Sequence, residues 1–370
     1  MSLRSPSDAA PRFGVEEEFI VVDATTRAPV PRAAEIVRDA APVLGGRLAG
    51  EITPLQVETR TAPCTSFAEL VAQLIEARKI ISESARAAGL RVVASGSATV
   101  AGPVPPPITT GPRQSRGTAT FRGLHDELAI CALHVHVEMP DRDRAVQVGN
   151  HLRPYLPVLS TLTANSPFWD NRDSGYASWR TMTWSRWPVA GPPPRFDSAA
   201  HYDQTVESLL AAGALVDRGT IFWDVRPSES NPTLEVRVAD IAVTAEESAL
   251  YAAVVRALVT HLSTTVQQGR PAVDVPAELM RVAYWRAARD GLDGAGLDLF
   301  TGRLRPAADL VGELVATIEP VLRGQDAHPQ VTAGLDRLLA DGTGAHRQRA
   351  VAGRSGLAAT VDWLAERTSG

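Results

Sequence analysis

The chain has almost no lysine, very little cysteine and no long apolar run. Of 37 basic residues in 370 positions only Lys79 is lysine; the other 36 are arginine. That scarcity removes several established chemistries. A P-loop needs a lysine in G-x-x-x-x-G-K-[ST], a protein kinase needs one on its third strand, and a pyridoxal enzyme forms its Schiff base on one. Lys79 lies in Glu-Ala-Arg-Lys-Ile-Ile, inside an amphipathic run, and fits none of these roles. It is expected on the surface of a helix. Cys64 and Cys131 cannot build a disulfide framework, so a reducing compartment is expected. No apolar run approaches the roughly 20 residues of a membrane helix, and Met1 to Arg12 lacks the apolar region of a signal peptide. A formal charge of -5 argues against nucleic-acid and polybasic membrane surfaces. The expectation is a soluble cytoplasmic enzyme that handles any phosphate with arginine and metal.

What is present reads as α+β. Residues 13–23 read as a strand, and residues 66–88 as a helix stopped by Gly89. A short strand is expected at 91–95. The proline-rich stretch 101–118 reads as a loop, because prolines cannot hold ladder hydrogen bonds. A strand at 129–139 precedes a helix at 141–164 that Pro154 and Pro157 should bend or split. Residues 166–197 form a long irregular stretch carrying Trp169, Trp179, Trp184 and Trp187; loops of that length are usually functional or disordered, and tryptophan argues against disorder. A helix at 199–212 and strands at 220–226 and 233–240 come next. Thr244 and Glu247 have the spacing of a capping box that opens a helix to about residue 268. The remainder, 270–370, reads as helical: residues 276–291, 306 to about 322, and two shorter helices to the C-terminus. Residues 1–11 read as a tail before a single catalytic domain over 12–370. Strands early and helices late favour an antiparallel sheet flanked by helices over a doubly wound one.

Strand side chains alternate faces. In Gly14-Val-Glu-Glu-Glu-Phe, Glu16 and Glu18 share a face and Glu17 lies opposite, with Val15 and Phe19. Gln56 and Glu58 share a face in Gln-Val-Glu-Thr, as do His134, His136 and Glu138 in Leu-His-Val-His-Val-Glu. Glu235 and Arg237 do the same in Thr233-Leu-Glu-Val-Arg-Val-Ala-Asp. Any one such strand could be a solvated outer face. Four together, built from glutamate and histidine, form an inventory for a hard cation, magnesium or manganese. Adjacent carboxylates repel and stay ionised near a strong cation. Zinc is less suited, since no cysteine shares the face; Cys131 has the opposite parity and should point to the core.

These strings resemble the bacterial carboxylate–amine ligases related to glutamate–cysteine ligase, the type 2 group. Further matches are Ser166-Pro-Phe-Trp, Trp184-Ser-Arg-Trp-Pro, Trp223-Asp-Val-Arg-Pro-Ser and Gly344-Ala-His-Arg-Gln-Arg, in the expected order over roughly residues 12–355. The resemblance implies a glutamine-synthetase-like fold, an antiparallel sheet curved around a funnel holding ATP and magnesium or manganese. It implies a metal shell of Glu16, Glu18, Glu51, Glu58, His134 and Glu235. It places His136 and Arg237 against the nucleotide phosphates, with Arg237 and Arg226 as catalytic candidates. Arg180, Arg186, Trp184 and Trp187 either contact substrate or tie the long loop down. The implied reaction phosphorylates a carboxylic acid to an acyl phosphate, which an amine converts to an amide. Small acids and amines are then the partners, with a homodimer as one possible assembly. The family's Gly-Thr-His-Pro string is missing after Ala94-Ser-Gly-Ser-Ala, and its Arg-Tyr is Arg113-Gln114 here, so the pocket loop has diverged. Three other readings compete: a guanidino-kinase-like phosphotransferase, a metal-dependent hydrolase on the same carboxylate face, and a non-catalytic nucleotide binder.

Overall fold

In the computed structural model, residues 10–127 and 129–370 are described; most of the expected tail lies outside them. Seven strands form the main sheet: β1 Phe13–Asp23, β2 Leu48–Gly50, β3 Gln56–Arg60, β4 Leu90–Val93, β5 Ala132–Glu138, β6 Val225–Pro227 and β7 Thr233–Asp240. The spatial order is β6-β7-β5-β1-β3-β2, and β4 pairs with the far end of β1. All these pairings are antiparallel.

Alternation along the strands decides which face is covered. Val15 on β1, Leu133, Val135 and Val137 on β5, and Leu234 and Val236 on β7 are buried in one apolar cluster with α8, Ala245–Gln267. Helix α8 is opened by Thr244, whose hydroxyl accepts the Glu247 N–H at 3.3 Å. By length and composition α8 could cross a membrane, but 67% of its most apolar window is buried inside the fold. Around β4 a second cluster joins Phe19, Ile20 and Val57 to α1 (Ala33–Leu44), α2 (Phe67–Ala87) and the end of α12 (Gly344–Ser369).

Glu17 lies on this covered face and is fully buried. Arg78 of α2 grips both its oxygens, at 2.6 and 3.0 Å, while Ser248 of α8 donates to one of them at 2.6 Å. The same guanidinium donates to the carbonyls of Ala242 and Val243 at 3.0 and 2.9 Å. One ion pair therefore fastens β1 to two helices and the chain leading into α8. Lys79, the next residue, points outward and is exposed, as expected.

Three expectations need correction. The 101–118 stretch is not wholly loop: helix α3 spans Pro112–Phe121, with Pro112 where a first-turn proline loses no hydrogen bond. The 270–370 part is not all helix, since Ala295–Asp298 and Arg303–Pro306 pair as a hairpin ahead of α10, Ala307–Gly324. Its last helix is long rather than short: α12 has 26 residues and turns at Gly356, whose φ of 83° favours glycine. The helix at 141–164 does split, into α4 (Arg142–Leu152) and α5 (Leu156–Leu162) across a single 3-10 turn. Within 166–197 the order is mainly α6, Trp179–Trp184, and short two-residue strands.

Candidate active site

Register alone assembles the polar face. Across β1 and β3, Glu18 opposes Glu58 and Glu16 opposes Arg60. Across β1 and β5, Glu16 opposes His134. His136 then opposes Glu235, and Glu235 opposes Arg226. Directly opposed residues in an antiparallel pair bring their Cβ atoms to about 4.5–5.5 Å. The opposed residues are therefore neighbours on one face.

Two groups of ligand atoms result, each with all its atoms within 4.8 Å of one another: Glu16, His136 and Glu235, and Glu18, Glu51 and Glu58. Glu51 reaches the second from the turn between β2 and β3. Burial, with the nearby Glu58 charge, raises the Glu18 carboxyl to about 7. Burial, Glu51 and Glu16 raise Glu58 to about 9. Glu51 is shifted upward by burial and by Glu18. Without a cation these acids resist ionising together, and a divalent ion between them removes the conflict. In the first group, burial would raise Glu16, but His134 and His136 outweigh it and hold the carboxyl well below its usual range. Glu235 is likewise held low against burial by Arg237 and Arg226.

The two histidines differ in their surroundings. His134, the expected ligand, has its Nδ1 taken up by Glu16 Oε2 at 3.2 Å, and its Nε2 stands 3.9 Å from Glu18. Burial and Arg237 lower its pKa to about 4, so the ring is neutral. His136 instead holds its ring by Nδ1 against Thr233 Oγ1 at 2.9 Å. Its buried Nε2 has no hydrogen-bond partner and points between Glu16 Oε1 at 3.6 Å and Glu235 Oε1 at 4.0 Å. An orphaned imidazole nitrogen between two carboxylates is the arrangement a cation completes.

Arg237 pairs with Glu235, and its buried Nε is unpartnered. Arg226 donates to Glu235 Oε2 at 2.8 Å and to the Ile221 carbonyl. The loop candidates divide. Arg180 is buried, with its guanidinium donating to the carbonyls of Val238 and Arg237 at 3.3 and 3.1 Å, which ties the loop down. Trp187 is buried in an aromatic cluster with Phe121, Trp184 and Phe222, so packing accounts for it. Trp184 is half-buried in the same cluster, and Arg186 is exposed, its Nε near the Thr183 carbonyl. The diverged loop sits beside the site: Thr109 donates its N–H to Ile52 O and its hydroxyl to Glu51 O, at 2.8 and 2.7 Å. Arg113 of α3 pairs with Asp217 at 2.7 Å.

Sequence reasoning missed the support beneath the face. Buried Asp240 accepts from the Asn165 N–H and the hydroxyls of Ser166 and Ser178, at 2.9, 2.7 and 2.8 Å. Asn165 is in turn held by Gln348 of α12 at 2.7 Å. A Cβ on Gly344 would stand 2.1 Å from Asn165 Oδ1, so α12 can approach only through glycine there. Ser166-Pro-Phe-Trp and Gly344-Ala-His-Arg-Gln-Arg thus meet as scaffold. Strand parity could not show this, because a bulge between Val236 and Ala239 shifts the register before Asp240.

Comparison with known proteins finds relatives over nearly the whole chain. The family described as Glutamate-cysteine ligase family 2 (GCS2) matches residues 12–359. A protein of Mycobacterium sp. (strain KMS) named "Putative glutamate--cysteine ligase 2-2" is 46% identical over 368 residues, covering 97% of this chain and 99% of its own. One from Salinispora arenicola (strain CNS-205), named "Putative glutamate--cysteine ligase 2", is 43% identical over 365 residues, covering 98% and 96%. Among solved structures, a glutamate–cysteine ligase from Francisella tularensis in complex with AMP aligns with a TM-score of 0.72 at 12% identity, covering 98% of this chain and 89% of that one. The Pup ligase PafA aligns with a TM-score of 0.54 at 12% identity, covering 94% and 68%. The chain therefore belongs to glutamate-cysteine ligase family 2 and has a glutamine-synthetase-like fold.

Proposed function

We propose that this chain joins a carboxylic acid to an amine, using ATP to convert the acid to an acyl phosphate that the amine then attacks. The observation that carries the reading is the register-built row, in which two three-ligand groups share a face with Arg226 and Arg237. Family membership and the ligase neighbours support it over the phosphotransferase, hydrolase and binding-only alternatives. Glu18, Glu51 and Glu58 would hold one divalent cation, and Glu16, His136 and Glu235 a second; magnesium or manganese suits these donors. Such cations neutralise phosphate charge and polarise the transferring group.

The chain's own residues position and exclude. His134, neutral and bonded to Glu16, fixes that carboxylate's orientation. Arg237 carries its charge on the same face for the phosphoryl oxygens, and Arg226 orients Glu235. Acyl phosphates hydrolyse readily, so water must be kept out. The segment around Thr109, anchored beside Glu51, and α3, anchored through Arg113, are placed to do this. Glutamate and cysteine are the first pair to test, because the relatives carry that name. The test crosses carboxylic acids with amines and monitors ADP release, with the product identified by mass. ADP release requiring both partners is expected. ADP release with a guanidino acceptor alone, or substrate hydrolysis without ATP, would overturn the reading.

A further inference from the structure

We propose that Arg60 is a cation stand-in: it neutralises the carboxylates while metal is absent and, once metal binds, turns to an anionic group of a substrate. The proposal rests on the metal reading above and goes beyond it. Arg60 closes β3 opposite Glu16. Its Nη2 lies 2.5 Å from Glu58 Oε1 and its Nε 3.6 Å from Glu16 Oε1, so one guanidinium touches a carboxylate of each group. The side chain is 46% exposed and lines a cavity of about 530 Å³. Glu16 and His136 lie on that cavity's wall, with Arg12 and Arg47 further along it.

The three cavity arginines differ in their partners. Arg12 is paired with Glu138 and Arg47 with Glu76, neither a candidate ligand. Arg60 is paired instead with two candidate ligands, Glu58 and Glu16. Net charge on the face determines where its guanidinium goes. Two divalent cations let all five glutamates ionise; the four charges of the ions, with Arg60, Arg226 and Arg237, then leave the face two charges positive. A guanidinium beside a loaded cation is repelled rather than held. Arg226 and Arg237 remain tied to Glu235, and Arg226 also to a main-chain carbonyl. Arg60 instead lines the cavity of about 530 Å³ and has room to turn into it. Its planar fork suits a carboxylate or a phosphate. A substrate oxyanion in the cavity is therefore its partner in the loaded state, and anion binding there depends on metal.

Arg60→Met keeps the apolar stem and removes the charge at a half-exposed strand end, so the fold should persist. Three measurements decide. Mn²⁺ titrated into protein alone, with free ion monitored by electron paramagnetic resonance, should bind the variant about three- to tenfold more tightly, because a competing cation is gone. Calorimetry with saturating Mg²⁺ should show the variant losing about tenfold or more in affinity for L-glutamate or for a non-hydrolysable ATP analogue. The ligand affected tells carboxylate from phosphate. Without metal, wild type and variant should bind both ligands equally weakly. Unchanged Mn²⁺ affinity, no loss for either ligand, or a loss that persists without metal would overturn the proposal. A wild-type chain that binds no Mn²⁺ would instead overturn the ligase reading itself.

Discussion

Removing the Arg78 guanidinium should be among the most damaging single changes in the molecule. Arg78→Met leaves Glu17 as an ionised carboxylate with no counter-charge; the two side chains are only 2% and 0% exposed. Breaking a buried pair by removing one partner costs about 3–5 kcal/mol. The carbonyls of Ala242 and Val243 lose their donor as well, and an unsatisfied buried acceptor adds about 1–3 kcal/mol. The loss should therefore be at least about 3 kcal/mol in urea unfolding monitored by tryptophan fluorescence. Combining it with Glu17→Met removes the stranded charge and should recover about 2 kcal/mol, though not all, because the carbonyls stay unsatisfied. The pair also sets register. A one-residue slip of β1 would carry Glu17 to the open face and bury Glu16 and Glu18. A loss below about 1 kcal/mol for Arg78→Met, or strict additivity in the double variant, would refute this account.

Glu58→Ala and Glu235→Ala should each abolish ATP turnover while keeping a single cooperative unfolding transition, and wild-type ADP release by either would refute the ligand assignment. Gly344→Ala should lower the melting temperature, reflecting about 1–3 kcal/mol of overpacking against Asn165. Buried Asp224 has its carboxyl raised to about 6. Between roughly pH 4 and 6 the folded chain keeps a proton that the unfolded chain has released, so this group's stabilisation fades as pH rises. Stability measured across that window should fall less steeply with rising pH in Asp224→Asn than in wild type. Lys79→Arg should leave turnover unchanged.

Most of the polar face was legible because strand alternation is a strict rule with short reach. Glu16, Glu18, Glu58, His136 and Glu235 follow from parity within their own strands. The different surroundings of His134 and His136 were not legible, since both share a face and only cross-strand neighbours distinguish them: Glu16 opposes the first, Glu235 the second. Arg60 shares a face with Glu58 on its own strand, but its second partner, Glu16, lies on the neighbouring strand and only the register shows it. Asp240, Asn165 and Gln348 form a contact spanning 183 residues of chain, which no local pattern encodes. Helix α3 was hidden by the prolines before it, although Pro112 itself marks its first turn.

The guanidinium-only face has a chemical consequence. An acyl phosphate acylates nearby amines, and a lysine on that face would compete with the amine substrate and end modified. Guanidinium stays protonated and is a poor nucleophile at neutral pH. With Lys79 exposed on the outer side of α2, no lysine ε-amine stands where the activated acid would form. Under the acyl-phosphate mechanism proposed above, the chain would hold its acylating intermediate among positive charges without labelling itself.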